Sequence, residues 1–213
     1  ILNLSFFKSF LKKSNTIIIS ENKNNFLSNL AKEKGFHFIH HNINIGGRYS
    51  IFSEVGMVPA YLMGLNPKNF KKNLNKLLKN KNFHLNISKA ISNLRLKKFK
   101  TLILLNYVPE LNNFLYWCQQ LLAESLGKNK KGFLPVVSNA PKDHHSLLQL
   151  YLDGPKDKVF YIFSSKKTKN ILTSSNFFGE KMKYLNNKDY QDIKIVQKDA
   201  LKEVLKKKKN PFR

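Results

Sequence analysis

With 213 residues, 42% of them hydrophobic, the chain can bury a core of useful size, which excludes a disordered tail. A formal charge of +25 and a pI near 10.1 point at first to nucleic acid or an anionic membrane surface. The distribution argues against both, because lysine is scattered among asparagine and leucine, as in Lys71-Lys72-Asn73-Leu74-Asn75-Lys76 and Leu78-Lys79-Asn80-Lys81-Asn82, in the manner of a general compositional bias.

The one dense basic run, Lys206 to Lys209, ends an amphipathic stretch that begins near Asp199, where positive charge suits a helix C-terminus. Single-stranded nucleic acid also demands aromatics interleaved with cations. Only Phe70-Lys71-Lys72 and Lys81-Asn82-Phe83 offer that, in separate predicted elements. No apolar run approaches the ~20 residues of a membrane-spanning helix. Cys118 is the only cysteine and cannot form an intramolecular disulfide, so a reducing, cytoplasmic setting is expected. The chain begins at Ile1 without an initiator methionine, so a targeting signal upstream would not be seen.

Phe6 to Lys13 reads as a short helical stretch, followed by the apolar, β-branched run Thr16 to Ser20, typical of a buried parallel strand. Asn25 to Lys34 predicts a helix stopped by Gly35, and Phe36 to Ile39 the next strand, which gives βαβ alternation. Helices follow at Glu54 to Leu65, Lys68 to Asn80 and Ile87 to Lys98, the middle one opened by Asn66-Pro67. Thr101 to Leu105 predicts another buried strand, Glu110 to Leu126 a long helix, Val159 to Phe163 a strand and Asp199 to Lys208 a final helix. No internal repeat is present. The expected architecture is α/β with parallel sheets: the end of one domain over residues 1–60, and most of a second, three-layer domain over residues 61–213.

Chemistry concentrates in three segments. In Gly46-Gly47-Arg48-Tyr49-Ser50, two glycines let the backbone bring a guanidinium close to an anion, and that cation never titrates. Alone, such a tripeptide is more often a turn with a surface cation. In the second segment Gln120 and Glu124 are four residues apart, which places them one turn apart on one face of the predicted helix. A carboxylate partly desolvated near the end of a largely apolar helix has its pKa raised toward the range useful for a general base; the alternative is a solvated glutamate near the Gly127 cap.

The third segment is Pro141-Lys142-Asp143-His144-His145-Ser146, followed by the alternating run Leu148 to Leu152. His145 is placed to exchange a proton near neutrality. Adjacent histidines, here and at His37, His40 and His41, also raise the question of metal. No cysteine or second carboxylate cluster lies near them and strand neighbours point to opposite faces, so His37 to His41 read as a strand edge. A glutamate base, a histidine acid and an arginine for the anion together suit proton transfer at a carbon beside a carbonyl, with no cofactor.

In order and in residues, the three segments resemble phosphoglucose isomerase, a family that interconverts glucose 6-phosphate and fructose 6-phosphate and is built from two sugar-isomerase (SIS) α/β domains. The resemblance runs through most of the chain. It implies that Arg48, with Gly47, stabilises an enediolate; that Glu124 shuttles a proton between C2 and C1; and that Gln120 lines the sugar. His145 matches the histidine that assists ring opening and reaches the site from the partner subunit, so a homodimer is implied. Glu54 stands where the family often has a small residue, and His144 where it often has glutamine.

Two family features are missing. No serine/threonine-rich phosphate loop is found, since Ser20-Glu21-Asn22-Lys23 carries a carboxylate and lies too near Arg48. The C-terminal helix with its ring-opening lysine is also absent, although Asn210-Pro211-Phe212 mimics its opening. The chain is therefore expected to be a central fragment of such an enzyme, inactive alone. A sugar-phosphate-binding domain without turnover is the alternative, but it would be expected to lack Glu124.

Overall fold

A computed structural model describes residues 2–72, 74–96, 99–165, 171–173 and 179–213. The chain forms two compact units, Ile1–Asn86 and Ile87–Arg213. In the first, α1 (Leu2–Phe6) leads to β1 (Ile17–Ser20), α2 (Phe26–Lys34) and β2 (His37–His40). The two strands pair in parallel, with Ile17 opposite His37 and Ser20 opposite His40.

The boundaries of α2 follow from its caps. Asn25 Oδ1 accepts from Ser28 N at 2.9 Å and Ser28 Oγ accepts from Asn25 N at 3.3 Å, so two otherwise orphaned donors are satisfied reciprocally. At the other end Gly35 adopts φ 64°, the left-handed stop expected of glycine. The predicted helix from Phe6 is instead α1 plus a 3₁₀ turn at Lys8–Phe10.

Then come α3 (Glu54–Leu62), α4 (Pro67–Lys71), α5 (Leu74–Leu78) and α6 (Lys81–Leu96), across which the units divide. The predicted helix from Lys68 to Asn80 is thus two short ones, the first opened by Asn66 and Pro67 as read from the sequence. The helix predicted over Ile87 to Lys98 starts six residues earlier than expected, and its last two positions lie outside the described residues.

The second unit contains β3 (Thr101–Asn106), α7 (Asn112–Leu126), β4 (Leu134–Asn139), α8 (Lys142–Ser146), α9 (Leu148–Asp153), β5 (Lys158–Phe163) and α10 (Tyr190–Lys207). Its sheet is parallel with β3 in the centre, Ile103 facing Val136 on one side and Phe160 on the other. Because β3 is covered on both faces, its apolar run is unbroken rather than alternating. Leu102 and Leu104 pack with Phe99, Leu115 and Val159 beneath α7. Ile103, Leu105 and Tyr107 pack on the opposite face with Tyr151 of α9 and Leu201 and Leu205 of α10. Helix, sheet and helix make the expected three-layer α/β arrangement.

After α10, Phe160 N donates to Pro211 O at 3.0 Å and Ile162 N to Arg213 O at 2.8 Å, so residues 211–213 run parallel to β5 as an added edge. Asn210-Pro211-Phe212 therefore enters a sheet edge rather than opening a helix. Among the described residues, no helix is long and apolar enough to cross a membrane.

Candidate active site

In the first unit, the Gly-Gly-Arg segment folds as a 3₁₀ turn, Gly47–Phe52. Gly46 is extended at φ −64°, and neither it nor Gly47 is among the glycines with positive φ. The expected use of their backbone freedom is therefore corrected: the turn needs no left-handed residue. What Gly47 supplies is bareness, because a Cβ there would meet nothing within 4 Å. Gly56 is the opposite case, since its Cβ would lie 2.0 Å from the Ile51 carbonyl oxygen.

The turn is stitched by Ser50 Oγ donating to Gly47 O at 2.7 Å and Ser53 Oγ donating to Ser50 O at 2.8 Å. Half-buried Arg48 places its Cζ 4.8 Å from the centre of the Tyr49 ring, a cation–π contact that preserves its charge.

Beside this turn, His41 Nε2 donates to the Ile45 carbonyl at 3.0 Å, and Nδ1 faces Glu54 Oε2 at 3.5 Å. Its own backbone N–H and then His41 hold the Glu54 carboxyl below the usual carboxylate range. His41 and Glu54 thus have each other as partners. Among the described residues, no group of three or more His, Cys, Asp or Glu side chains is placed to hold a metal ion.

In the second unit α7, read from its sequence as largely apolar, is amphipathic. Leu111, Leu115, Cys118 and Leu122 point to the sheet, and Leu115 is fully buried. Gln120 and Glu124 fall on the opposite side, with Gln120 Nε2 donating to Glu124 Oε1 at 2.9 Å. Of the two readings of Glu124 the solvated one holds: it is exposed, because the core-facing positions of α7 are Leu115, Cys118 and Leu122. Gly127 ends the helix at φ −75°, donating to Ala123 O at 2.8 Å.

His145 stands exposed on α8. The residues on either side of the Asp143–His144 step are tied down. Asp143 Oδ2 accepts from Ser138 Oγ at 2.9 Å and Asn139 N at 2.7 Å, and Oδ1 accepts from Ser146 Oγ at 3.1 Å. His144 Nε2 lies 2.8 Å from the hydroxyl of the buried Tyr107. Burial pulls the His144 pKa down, against the opposing pull of Asp143, and burial pushes the Tyr107 hydroxyl far up. Burial thus favours the neutral form of both groups, and which of the two donates is set by the imidazole tautomer.

The alternating run Leu148 to Leu152 lies in the helix α9. Over five residues alternation barely discriminates, and the helix buries Leu148, Tyr151 and Leu152 at i, i+3 and i+4 while leaving Leu150 outside. The sequence reading also missed Asp143, His144 and Tyr107 as a group. Their signal is that β4 ends directly before α8, and β4 itself was not foreseen.

So Gly47 and Arg48 share one turn of the first unit, Gln120 and Glu124 one hydrogen bond of the second, and His145 a separate helix of that second unit. A parallel α/β unit of three layers, with a carboxylate–amide pair on its outer helix face, defines the class. No family model matches the chain.

Relatives are nevertheless clear. The chain is 38% identical over 131 residues to the glucose-6-phosphate isomerase of Methanocaldococcus jannaschii, which is 58% of this chain and 33% of that protein. It is 31% identical over 183 residues to the probable glucose-6-phosphate isomerase of Methanococcus maripaludis, 80% of this chain and 41% of that one. The glucose-6-phosphate isomerase of Bacillus anthracis is 28% identical over 194 residues, 82% of this chain and 42% of that one. In structure, a hypothetical protein from Thermus thermophilus superposes with a TM-score of 0.83 at 23% identity, over 99% of this chain and 54% of that chain. The fold is shared with that protein, and the sequence is homologous to part of the glucose-6-phosphate isomerases. The chain spans 33–42% of the length of these curated relatives.

Proposed function

We propose that the chain is part of an aldose–ketose isomerase acting on glucose 6-phosphate and fructose 6-phosphate. The observation that carries this reading is the Gln120–Glu124 pair on one face of α7, in a chain homologous to proteins of that name. Glu124 is the base that moves a proton between C2 and C1 through an enediolate, and Gln120 holds that carboxylate and lines the sugar. The permanent charge of Arg48 stabilises the enediolate, while bare Gly47 lets substrate approach the backbone. His145 assists ring opening. The active form is a homodimer in which His145 is contributed across the interface, in the cytoplasm and in glycolysis and gluconeogenesis. Because the chain spans 33–42% of the length of its curated relatives, this stretch alone is expected to be inactive.

The test is isomerase activity of the full-length gene product on fructose 6-phosphate, compared with Glu124→Gln, which keeps the shape and removes the base. Loss of roughly 10²–10⁴-fold in turnover is expected. No turnover in a folded, dimeric wild type would instead indicate a sugar-phosphate-binding domain without catalysis.

A further inference from the structure

The geometry points to Asp143, together with the Tyr107–His144 pair, as the device that aims His145, so that all three are positioning residues for the ring-opening step. This rests on the reading of His145 given above.

Helix α8 has only five residues, its N-cap residue is Pro141, and no side chain caps it. A helix that short does not persist by its own hydrogen bonds. Its direction must be imposed from outside, and two consecutive side chains impose it. Two of the bonds that Asp143 accepts, from Ser138 Oγ and Asn139 N, fasten the first turn to the end of β4, where Ser138 is wholly buried, and the third, from Ser146 Oγ, ties that turn to the last residue of α8. Tyr107, 1% exposed just beyond β3, fastens His144 at 2.8 Å.

Successive helical residues are ~100° apart around the axis, at 3.6 residues per turn. Fixing the azimuth of residues 143 and 144 therefore leaves one direction for residue 145, and His145 is the member of the three that is exposed. The neighbours spend their polar atoms on protein, whereas His145 presents its ring outward. The chemistry of the pair reinforces the aim: the hydroxyl and the imidazole share one hydrogen bond, and burial disfavours any change of protonation in either group.

Positioning and plain structural support differ in what they do to two substrates. The fructofuranose ring closes through O5 onto C2, so 5-deoxyfructose 6-phosphate, whose O6 carries the phosphate and whose O4 would close only a four-membered ring, stays acyclic and bypasses ring opening. In the full-length gene product, Asp143→Asn and the milder Tyr107→Phe are expected to lower kcat on cyclic fructose 6-phosphate by roughly 10- to 100-fold. Turnover of the acyclic analogue should stay near wild type, as it should in His145→Gln. Equal losses on both substrates, or no loss on either, while His145→Gln remains selective for the cyclic one, would overturn the inference. If His145→Gln itself fails to discriminate the two substrates, the assignment of His145 falls first and takes its positioning residues with it. Should Asp143→Asn not fold, Tyr107→Phe decides alone, because it removes one hydroxyl and keeps the buried ring.

Discussion

Gln120 and Glu124 are held one turn apart on α7 by a hydrogen bond of 2.9 Å from the amide nitrogen to the carboxylate oxygen. Both side chains are exposed, so the bond adds little to stability and its effect is to restrict the glutamate rotamer. Gln120→Ala is therefore expected to leave the unfolding free energy of the full-length protein within about 0.5 kcal/mol. Isomerase kcat/KM should nevertheless fall by roughly 10-fold or more, because the base loses its orientation. Urea denaturation alongside steady-state kinetics separates the two effects.

Gly47 and Gly56 sit nine residues apart around Arg48 and bear opposite constraints. A methyl at residue 47 enters open space, while at 56 it would collide with the Ile51 carbonyl at 2.0 Å. Gly56→Ala must push α3 away from the 3₁₀ turn and is expected to lower Tm markedly. Gly47→Ala should leave Tm unchanged yet raise KM for the sugar phosphate, because only the approach of a ligand would require that bareness. An unchanged KM would remove Gly47 from the substrate site.

Much of this is legible in the sequence because local and tertiary demands agree. Ile17 to Ile19 form a strand on β-branching alone, and Asn25 and Gly35 frame α2 by capping chemistry that needs no tertiary partner. The central strand β3 is equally plain, since a run buried on both faces must be apolar throughout.

What was hidden depended on neighbours. Strand β4 contains Pro135, which argues against a central strand but is tolerated because β4 lies at the edge of the sheet beside β3. Helix α10 begins at Tyr190 rather than Asp199, its first turn disguised by Lys194, whose buried stem packs with the ammonium 5.4 Å from the Tyr190 ring. For the site, spacing alone paired Gln120 with Glu124. Their exposure could not be read without knowing which side of α7 met the sheet. The Asp143–Ser138 and His144–Tyr107 bonds join residues of different elements, which no local pattern announces.

The reciprocal cap of α2 gives a prediction independent of function. Asn25→Ala removes the acceptor of the Ser28 amide, and Ser28→Ala removes both the return acceptor and a 2.6 Å bond to the Lys23 carbonyl. Each is expected to cost about 1 kcal/mol by denaturant unfolding. The double variant should cost less than the sum, since the two side chains share one motif.

Stability should also depend on pH through His144. This residue is packed against Tyr107 at the end of β3 and lies beside Asp143 on its own helix, while Asp199 of α10 acts on Tyr107. Burial is the larger influence on His144, so its pKa in the folded chain lies below the ordinary histidine value of 6.5. Between those two values the unfolded chain binds a proton that the folded chain does not, and stability must rise with pH there. The contribution is fully present above the unfolded value and is lost as pH falls below about 6.5 toward the folded pKa. Melting temperatures from pH 7.5 down to 5 should therefore decline in wild type with a component that His144→Gln lacks, since a glutamine amide can hydrogen-bond the Tyr107 hydroxyl without titrating. Parallel declines in the two proteins would show that the imidazole is no more difficult to protonate folded than unfolded, and would remove the neutral imidazole from the Tyr107–His144 pair.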